Sequence, residues 1–384
     1  MSEDTTITLG VEEEMFLVEP ESGNLIDNPD QRIFDVCEDN SGPHKVVREF
    51  LRAQIETNTE VCSSIAHVRK AMHETRRIVI EAAEQYGLRA LAASTHPFAK
   101  LAERAVTKGD RYQRYAMIFQ EGLRRFVIGG MHIHAGFGDE ESRIQVMTAL
   151  RRYLPLLHAL STSSPFIEGR DTGFKSYRLT LVGGLPRTGL PSAMKSRSDY
   201  DRLLSEYQKM GFAETGGDLW WDIRPSHAYP TVELRICDVC PRIEDTVTIA
   251  ALYACLIRRL SRLQREGELP EEPLTELIAE NRWVAQRYGV FAFFGAQSVE
   301  GGRIDIEDLV AELIEELADD ARALDCEAEI RRAQKIVREG TSADRQIDLY
   351  RLRLLEGDTP EEALQHVVEL ILAETREGMG QLSD

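Results

Sequence analysis

Four stretches of the chain carry chemically capable side chains at every second position. TLGVEEEMFLV (8–18) holds Glu12 and Glu14, and RAQIETNTEVC (52–62) holds Gln54, Glu56 and Asn58. FVIGGMHIHAGF (126–137) holds Gly130, His132 and His134, and TVELRIC (231–237) holds Thr231, Glu233, Arg235 and Cys237. A fifth stretch, LWWDIRP (219–225), sets Trp220, Asp222 and Arg224 against Leu219, Trp221 and Ile223. Residues i and i+2 of a strand share a face, so each set points one way and the intervening apolar residues point the other. Glu12 and Glu14 then stand about 7 Å apart along one strand. They repel unless something cationic lies between them. Glu13 falls among Leu9, Val11, Met15 and Leu17, and the strand pattern offers no account of it. An ordinary wet face carries Lys, Thr and Ser, whereas these faces carry carboxylates, imidazoles and guanidiniums. Carboxylates with one or two imidazoles suit Mg²⁺ or Mn²⁺. Arginines beside such ions suit a polyphosphate, because guanidinium meets phosphate bidentately. A curved sheet with this face would bind Mg²⁺-ATP without a P-loop. GKS and GKT do not occur, and GFGDEE (136–141) lacks the third glycine of a dinucleotide fingerprint.

These strands need a scaffold, and the 384-residue chain is long enough for a large core. It has 65 acidic and 46 basic residues and a formal charge of −19, which disfavours nucleic acid and anionic membranes as partners. No apolar run approaches the roughly 18 residues of a membrane span. The N-terminus, MSEDTTITLG, lacks the basic and apolar regions of a signal peptide. A cytoplasmic protein with reduced cysteines is expected. The first 60 residues mix strand patterns with turns, and a helix is predicted from about Ser64 to Tyr86. RALAAST (89–95) reads as a buried strand, about 110–124 as a helix containing Tyr112 and Tyr115, and about Ser142 to Ser161 as another helix. Residues 164–197, rich in Pro and Gly and bearing Arg170, Lys175, Arg178 and Arg187, read as a lid or binding loop. From about Ile243 to the end the pattern is almost wholly helical. The fold class expected is α+β, one domain over 1–384, with antiparallel strands first and helices on one side. A homo-oligomer is expected on general grounds.

At these same residues the sequence resembles the YbdK-type carboxylate–amine ligases, the second family of bacterial glutamate–cysteine ligases. The matching stretches are LGVEEEMFLVEPESGNL (9–25), IETNTEVC (55–62), GGMHIHAGF (129–137), SPFIEGRDTGFKSYR (164–178), WWDIRPSHAYPTVELRICDVCP (220–241) and ENRWVAQRYG (280–289). The resemblance implies a glutamine-synthetase-like fold: a curved antiparallel sheet of about six strands with helices on the convex side. It also implies ATP-dependent formation of an amide bond through an acyl phosphate, by default between the γ-carboxylate of glutamate and cysteine or another amine. By motif, Glu12, Glu14, Glu56, His132 and Glu233 would hold the metal ions, and Arg235 would meet the transferring phosphate. Arg170, Tyr177 and Arg178 would grip substrate carboxylates. Asp222, Arg224, Asn281 and Arg282 are candidates for the nucleotide or substrate. LTLVGGLPRTGLP (179–191) departs from the Trp-rich stretch common in the family, which leaves the identity of both substrates open.

Other readings have their own signatures. His134 is either a further ligand or the structural partner of a carboxylate. Cys237 and Cys240 form a single CxxC with no second pair for zinc, so core cysteines are expected. Trp220 and Trp221 read as core residues rather than a base-stacking platform. Asn281 and Trp283 either act at the site or pack a helix. HIH (132–134) also fits an amidohydrolase, which needs a (β/α)₈ barrel. A non-catalytic nucleotide binder is the remaining alternative, against which buried, unpaired carboxylates would cost stability.

Overall fold

The computed structural model describes residues 6–100, 107, 117, 118, 120, 127–296 and 301–379. The helix expected near 110–124, with Tyr112 and Tyr115, lies outside these residues. The main strands are β1 (Thr8–Val18), β2 (Lys45–Arg48), β3 (Gln54–Asn58), β4 (Arg89–Leu91) and β5 (Met131–Gly136). Short pairs β6 (Phe166–Ile167) with β7 (Arg170–Asp171) and β8 (Thr188–Gly189) with β9 (Trp220–Trp221) follow. β10 (Ile223–Pro225), β11 (Thr231–Leu234) and the hairpin β12 (Phe293–Gly295) and β13 (Arg303–Asp305) complete the set. Seven strands form one antiparallel sheet in the order β10-β11-β5-β1-β3-β2, with β4 also paired to β1. The sheet is antiparallel throughout, so HIH does not lie in the barrel that an amidohydrolase requires.

β1 organises the sheet. It pairs with β3 on one edge, and with β5 and then β4 on the other. Leu9, Val11, Met15 and Leu17 bury in the main core, among residues of the helices Ile65–Gln85 and Ile243–Glu266. The first of these helices starts where Ser64 Oγ accepts a hydrogen bond from the His67 backbone N–H, at 3.1 Å. Its buried positions, among them Val68, Met72, Thr75, Arg76, Val79 and Ala83, recur at helical spacing. The second helix is buried along most of its length and ends on Gly267, whose φ of 74° is the left-handed conformation that favours glycine.

Glu13 finds its partner in this layer. Arg76 of the first helix donates to both of its carboxylate oxygens, at 2.7 and 2.5 Å. Both side chains are fully buried. Arg76 also donates to the Cys240 carbonyl at 2.6 Å and to the Pro241 carbonyl.

Three local expectations change. Residues Arg32–Asn40 form a helix inside the region read as strands and turns. The helix expected over about 142–161 is two, Glu140–Leu150 and Leu154–Ser161, joined by a 3₁₀ turn at Arg151–Tyr153. Pro155 explains the break, because it cannot donate to Arg151 and its ring crowds that carbonyl. The β12–β13 hairpin interrupts the C-terminal region read as helical.

Replacing Arg76 by Ala is expected to destabilise the protein by about 3–5 kcal/mol, the scale for stranding one partner of a buried ion pair. A Glu13→Leu/Arg76→Met double variant is expected to recover only part, since the carbonyls of Cys240 and Pro241 stay unsatisfied. Chemical denaturation of the three proteins measures both.

Candidate active site

Strand register gathers the polar residues on the face of the sheet opposite these helices. Glu14 stands across from Glu56, Glu12 from His132, Glu233 from His134, and Arg224 from Glu233. A pocket of about 500 Å³ opens over them. Glu12, Glu14, Glu56, His132, Arg178, Asp222, Arg224 and Arg235 all line it. Its remaining wall is largely apolar, with Leu179, Val182, Leu185 and the half-buried Trp220.

The pocket has two electrostatic halves. In one, His132 Nδ1 lies 3.1 Å from Glu12 Oε2, and His134 Nε2 lies 3.2 Å from Glu12 Oε1. Glu233 takes Arg224 bidentately, at 2.8 and 3.2 Å, and also accepts a hydrogen bond from Arg235. Burial opposes ionisation of Glu12 and Glu233, yet both stay well below the usual carboxylate range. Hydrogen bonds with the two histidines hold Glu12 down, and Arg235 and Arg224 hold Glu233 down. Burial and the nearby Arg235 push His132 down to about 4, so it is a neutral imidazole with a lone pair to give.

The other half has weaker compensation. Glu14 accepts from Gln54 Nε2 at 2.8 Å and from the Gly130 N–H at 2.9 Å, but, among the described residues, from no cation at hydrogen-bond distance. Burial and the charge of Glu49 push it up to about 8. Burial, Glu49, Glu12 and Glu14 raise Glu56 well above the ordinary range. Asn58 Nδ2 donates to Glu56 at 2.7 Å.

A model of glutamate–cysteine ligase family 2 matches residues 8–369. The chain belongs to this family. A relative in Rhodospirillum rubrum, named provisionally as a glutamate–cysteine ligase 2, is 41% identical over 98% of this chain and 97% of its own. One in Jannaschia, of the same name, is 42% identical over 96% and 97%. A bifunctional glutathione synthetase from Pasteurella multocida superposes with a TM-score of 0.68 at 15% identity, over 97% of this chain and 53% of that one. A glutamate–cysteine ligase from Francisella tularensis, solved in complex with AMP, gives a TM-score of 0.65 at 12% identity, over 97% and 89%. These likenesses bear out the glutamine-synthetase-like fold. As a member of glutamate–cysteine ligase family 2, the protein is an ATP-dependent ligase that forms C–N bonds.

The donor set fits the divalent cation that such a family member uses with ATP. Ligand atoms of Glu12, His134 and Glu233 lie within 4.8 Å of one another, as do those of Glu14, Glu49 and Glu56. His134 Nε2 is buried and lies 3.2 Å from Glu12 Oε1, so it faces the carboxylates of this cluster. Its other nitrogen lies 2.8 Å from Thr231 Oγ1, which orients the ring. Glu49 escaped notice in the sequence because it follows β2, a strand too short to show alternation. Reading Lys45–Arg48 as a strand paired to β3 would have placed it beside Glu56.

Four candidates stand outside both the pocket lining and the cluster of Glu12, His134 and Glu233. Arg170 is exposed on β7, 3.4 Å from Glu168. Tyr177 precedes the short helix Arg178–Val182 and meets Phe174 edge-on. Asn281 exchanges two hydrogen bonds with the backbone of Gly295, at 3.0 and 2.8 Å, and so anchors the β12–β13 hairpin. Arg282 holds Asp222 bidentately from behind the pocket, at 2.6 and 3.0 Å. Cys237 and Cys240 are buried free thiols, as expected for core cysteines. Trp221 is buried, but Trp220 shares the pocket wall with it.

Two expectations follow. A metal-free protein should lose stability as pH rises from about 4.5 to about 8 and level off above that, because folded Glu14 keeps its proton up to about 8 and unfolded Glu14 loses it at 4.5. Divalent cations bound at Glu14 would displace that proton, so their affinity should rise at least about tenfold per pH unit between pH 6 and 8. Thermal melts with EDTA or MgCl₂ across this range check both. Separately, a Cβ on Gly130 would meet Arg178 Nη2 at 2.8 Å and His132 Nε2 at 2.9 Å. Gly130→Ala should therefore keep the fold by circular dichroism and lower ATP turnover at least tenfold.

Proposed function

We propose that this enzyme joins an amino acid carboxylate to an amine by way of an acyl phosphate, with Mg²⁺ or Mn²⁺. Glutamate through its γ-carboxylate is the default acid, and cysteine or another amine is the acceptor. One observation carries the reading: five carboxylates and two imidazoles share one site with Arg178, Arg224 and Arg235.

Phosphoryl transfer needs positioning and neutralisation of charge more than covalent help from the protein. Glu12, Glu14, Glu49, Glu56, Glu233 and the histidines would hold the divalent ions, which neutralise the β- and γ-phosphates when bound. Arg235 would stabilise charge that develops on the transferred phosphoryl group. Arg178, buried and presented from the covering segment, would orient the acid so that its oxygen attacks the γ-phosphorus and ADP departs. The amine nitrogen would then attack the carbonyl carbon and expel phosphate. The apolar wall of Leu179, Val182 and Leu185 would keep water from the acyl phosphate between these two steps.

The test is ADP release with Mg²⁺, ATP and L-glutamate against a panel of amines including cysteine, with mass spectrometry of the products. Amine-dependent ADP release with a matching condensation product is expected. Glu14→Gln is expected to lower turnover at least a hundredfold while the protein stays folded. Equal turnover in that variant would overturn the site.

A further inference from the structure

Arg178 stands at the pocket, and what fixes it is a residue of the quoted 220–241 stretch to which the motif assigned no role. Asp238 follows Arg235 by three positions and is fully buried. Its Oδ2 accepts from the Ser163 N–H at 3.0 Å and from Ser164 Oγ at 2.8 Å. Its Oδ1 accepts from Ser176 Oγ at 2.9 Å and lies 3.8 Å from Arg178 Nη1. Ser163, Ser164 and Ser176 are the two ends of the segment that turns out through β6 and β7 and returns to Arg178. That stem is also stitched by backbone bonds, from Ser164 N to Lys175 O and from Tyr177 N to Ser164 O. Asp238 therefore clamps both ends of the segment and faces the guanidinium it delivers. The guanidinium donates to the carbonyls of Ile236 at 3.3 Å and Arg235 at 3.2 Å. Gly130 closes its other side. Its Nε has no partner.

We propose that Asp238 is a positioning residue for the ligase reaction: it fixes Arg178 toward the acid substrate and ties the segment Ser164–Arg178 to the stretch after β11 that carries Arg235. The proposal rests on the reading of Arg178 as the acid-binding group. A carboxylate is needed because one group must accept three hydrogen bonds and also balance a buried guanidinium; an amide can do the first only in part and the second not at all.

The test uses the full chain with L-glutamate as the acid, cysteine as the amine and Mg²⁺-ATP. Asp238→Asn should raise the KM for L-glutamate at least tenfold, with the dissociation constant of Mg²⁺-ATP changed less than twofold. Arg178→Ala should do the same, and the double variant should be no worse than Arg178→Ala alone. Ser176→Ala, a milder cut in the same clamp, should give a two- to fourfold rise and covers the case in which Asp238→Asn does not fold. An unchanged KM in folded Asp238→Asn, or additive effects in the double variant, would overturn the proposal. Limited trypsin digestion reads the clamp without any turnover. Cleavage after Lys175 and Arg178 should be at least tenfold faster in Asp238→Asn or Ser176→Ala, with cleavage elsewhere unchanged. Equal cleavage would overturn the clamp even if the wild type proved inactive with glutamate. Wild-type inactivity alone would count against the choice of acid.

Discussion

The buried pair of Glu13 and Arg76 is the constraint on which the rest depends. β1 lies inside the sheet, and three consecutive glutamates must be divided between its two faces. Glu12 and Glu14 turn to the pocket, so Glu13 must turn to the core. A lone carboxylate there would be prohibitive, and a lone guanidinium equally so. Each is tolerable only because the other meets it bidentately and because the remaining donors of Arg76 end on the carbonyls of Cys240 and Pro241. The pair therefore joins the central strand, the helix behind it and the segment entering the long helix Ile243–Glu266. It also locks register. A slip of one residue would bring Glu12 and Glu14 into the apolar layer and take Glu13 from its partner.

With register held, the site's electrostatics follow. The half around Glu12 and Glu233 is balanced inside the protein by the guanidiniums of Arg224 and Arg235, with the two imidazoles held against Glu12. The half around Glu14, Glu49 and Glu56 is not, and its carboxyls resist ionising. The first half is organised in advance. The second stores repulsion that a cation bound there would relieve, which would couple such binding to pH and to stability. Arg224 and Arg235 share Glu233, which fixes their direction toward the pocket without consuming all their donors.

The covering segment adds what the sheet lacks. Its short helix Arg178–Val182 presents one cation and, with Leu185, an apolar wall facing the carboxylates. The pocket thus combines an acidic floor with a largely apolar wall. Glutamate–cysteine ligase family 2 membership identifies the class of chemistry.

Much of this was determined by the sequence. Period-two alternation exposed the faces of β1, β3, β5 and β11, because side chains of a strand alternate by geometry. Residues Glu12, Glu14, Glu56, His132, Arg224 and Arg235 were therefore legible as one surface before any contact was known. Short and irregular pieces were not. Glu49 follows a four-residue strand, the helix Arg32–Asn40 lies among turn residues, and the β12–β13 hairpin is too brief for a period to emerge. Partnership was not legible either. That Arg76 answers Glu13 across 63 positions, that Arg282 is spent on Asp222, and that Asn281 serves a hairpin are matters of distance in space. Residue type and spacing fix which face a side chain occupies. Only the packing of distant segments decides whether a charge on that face meets a partner or a pocket.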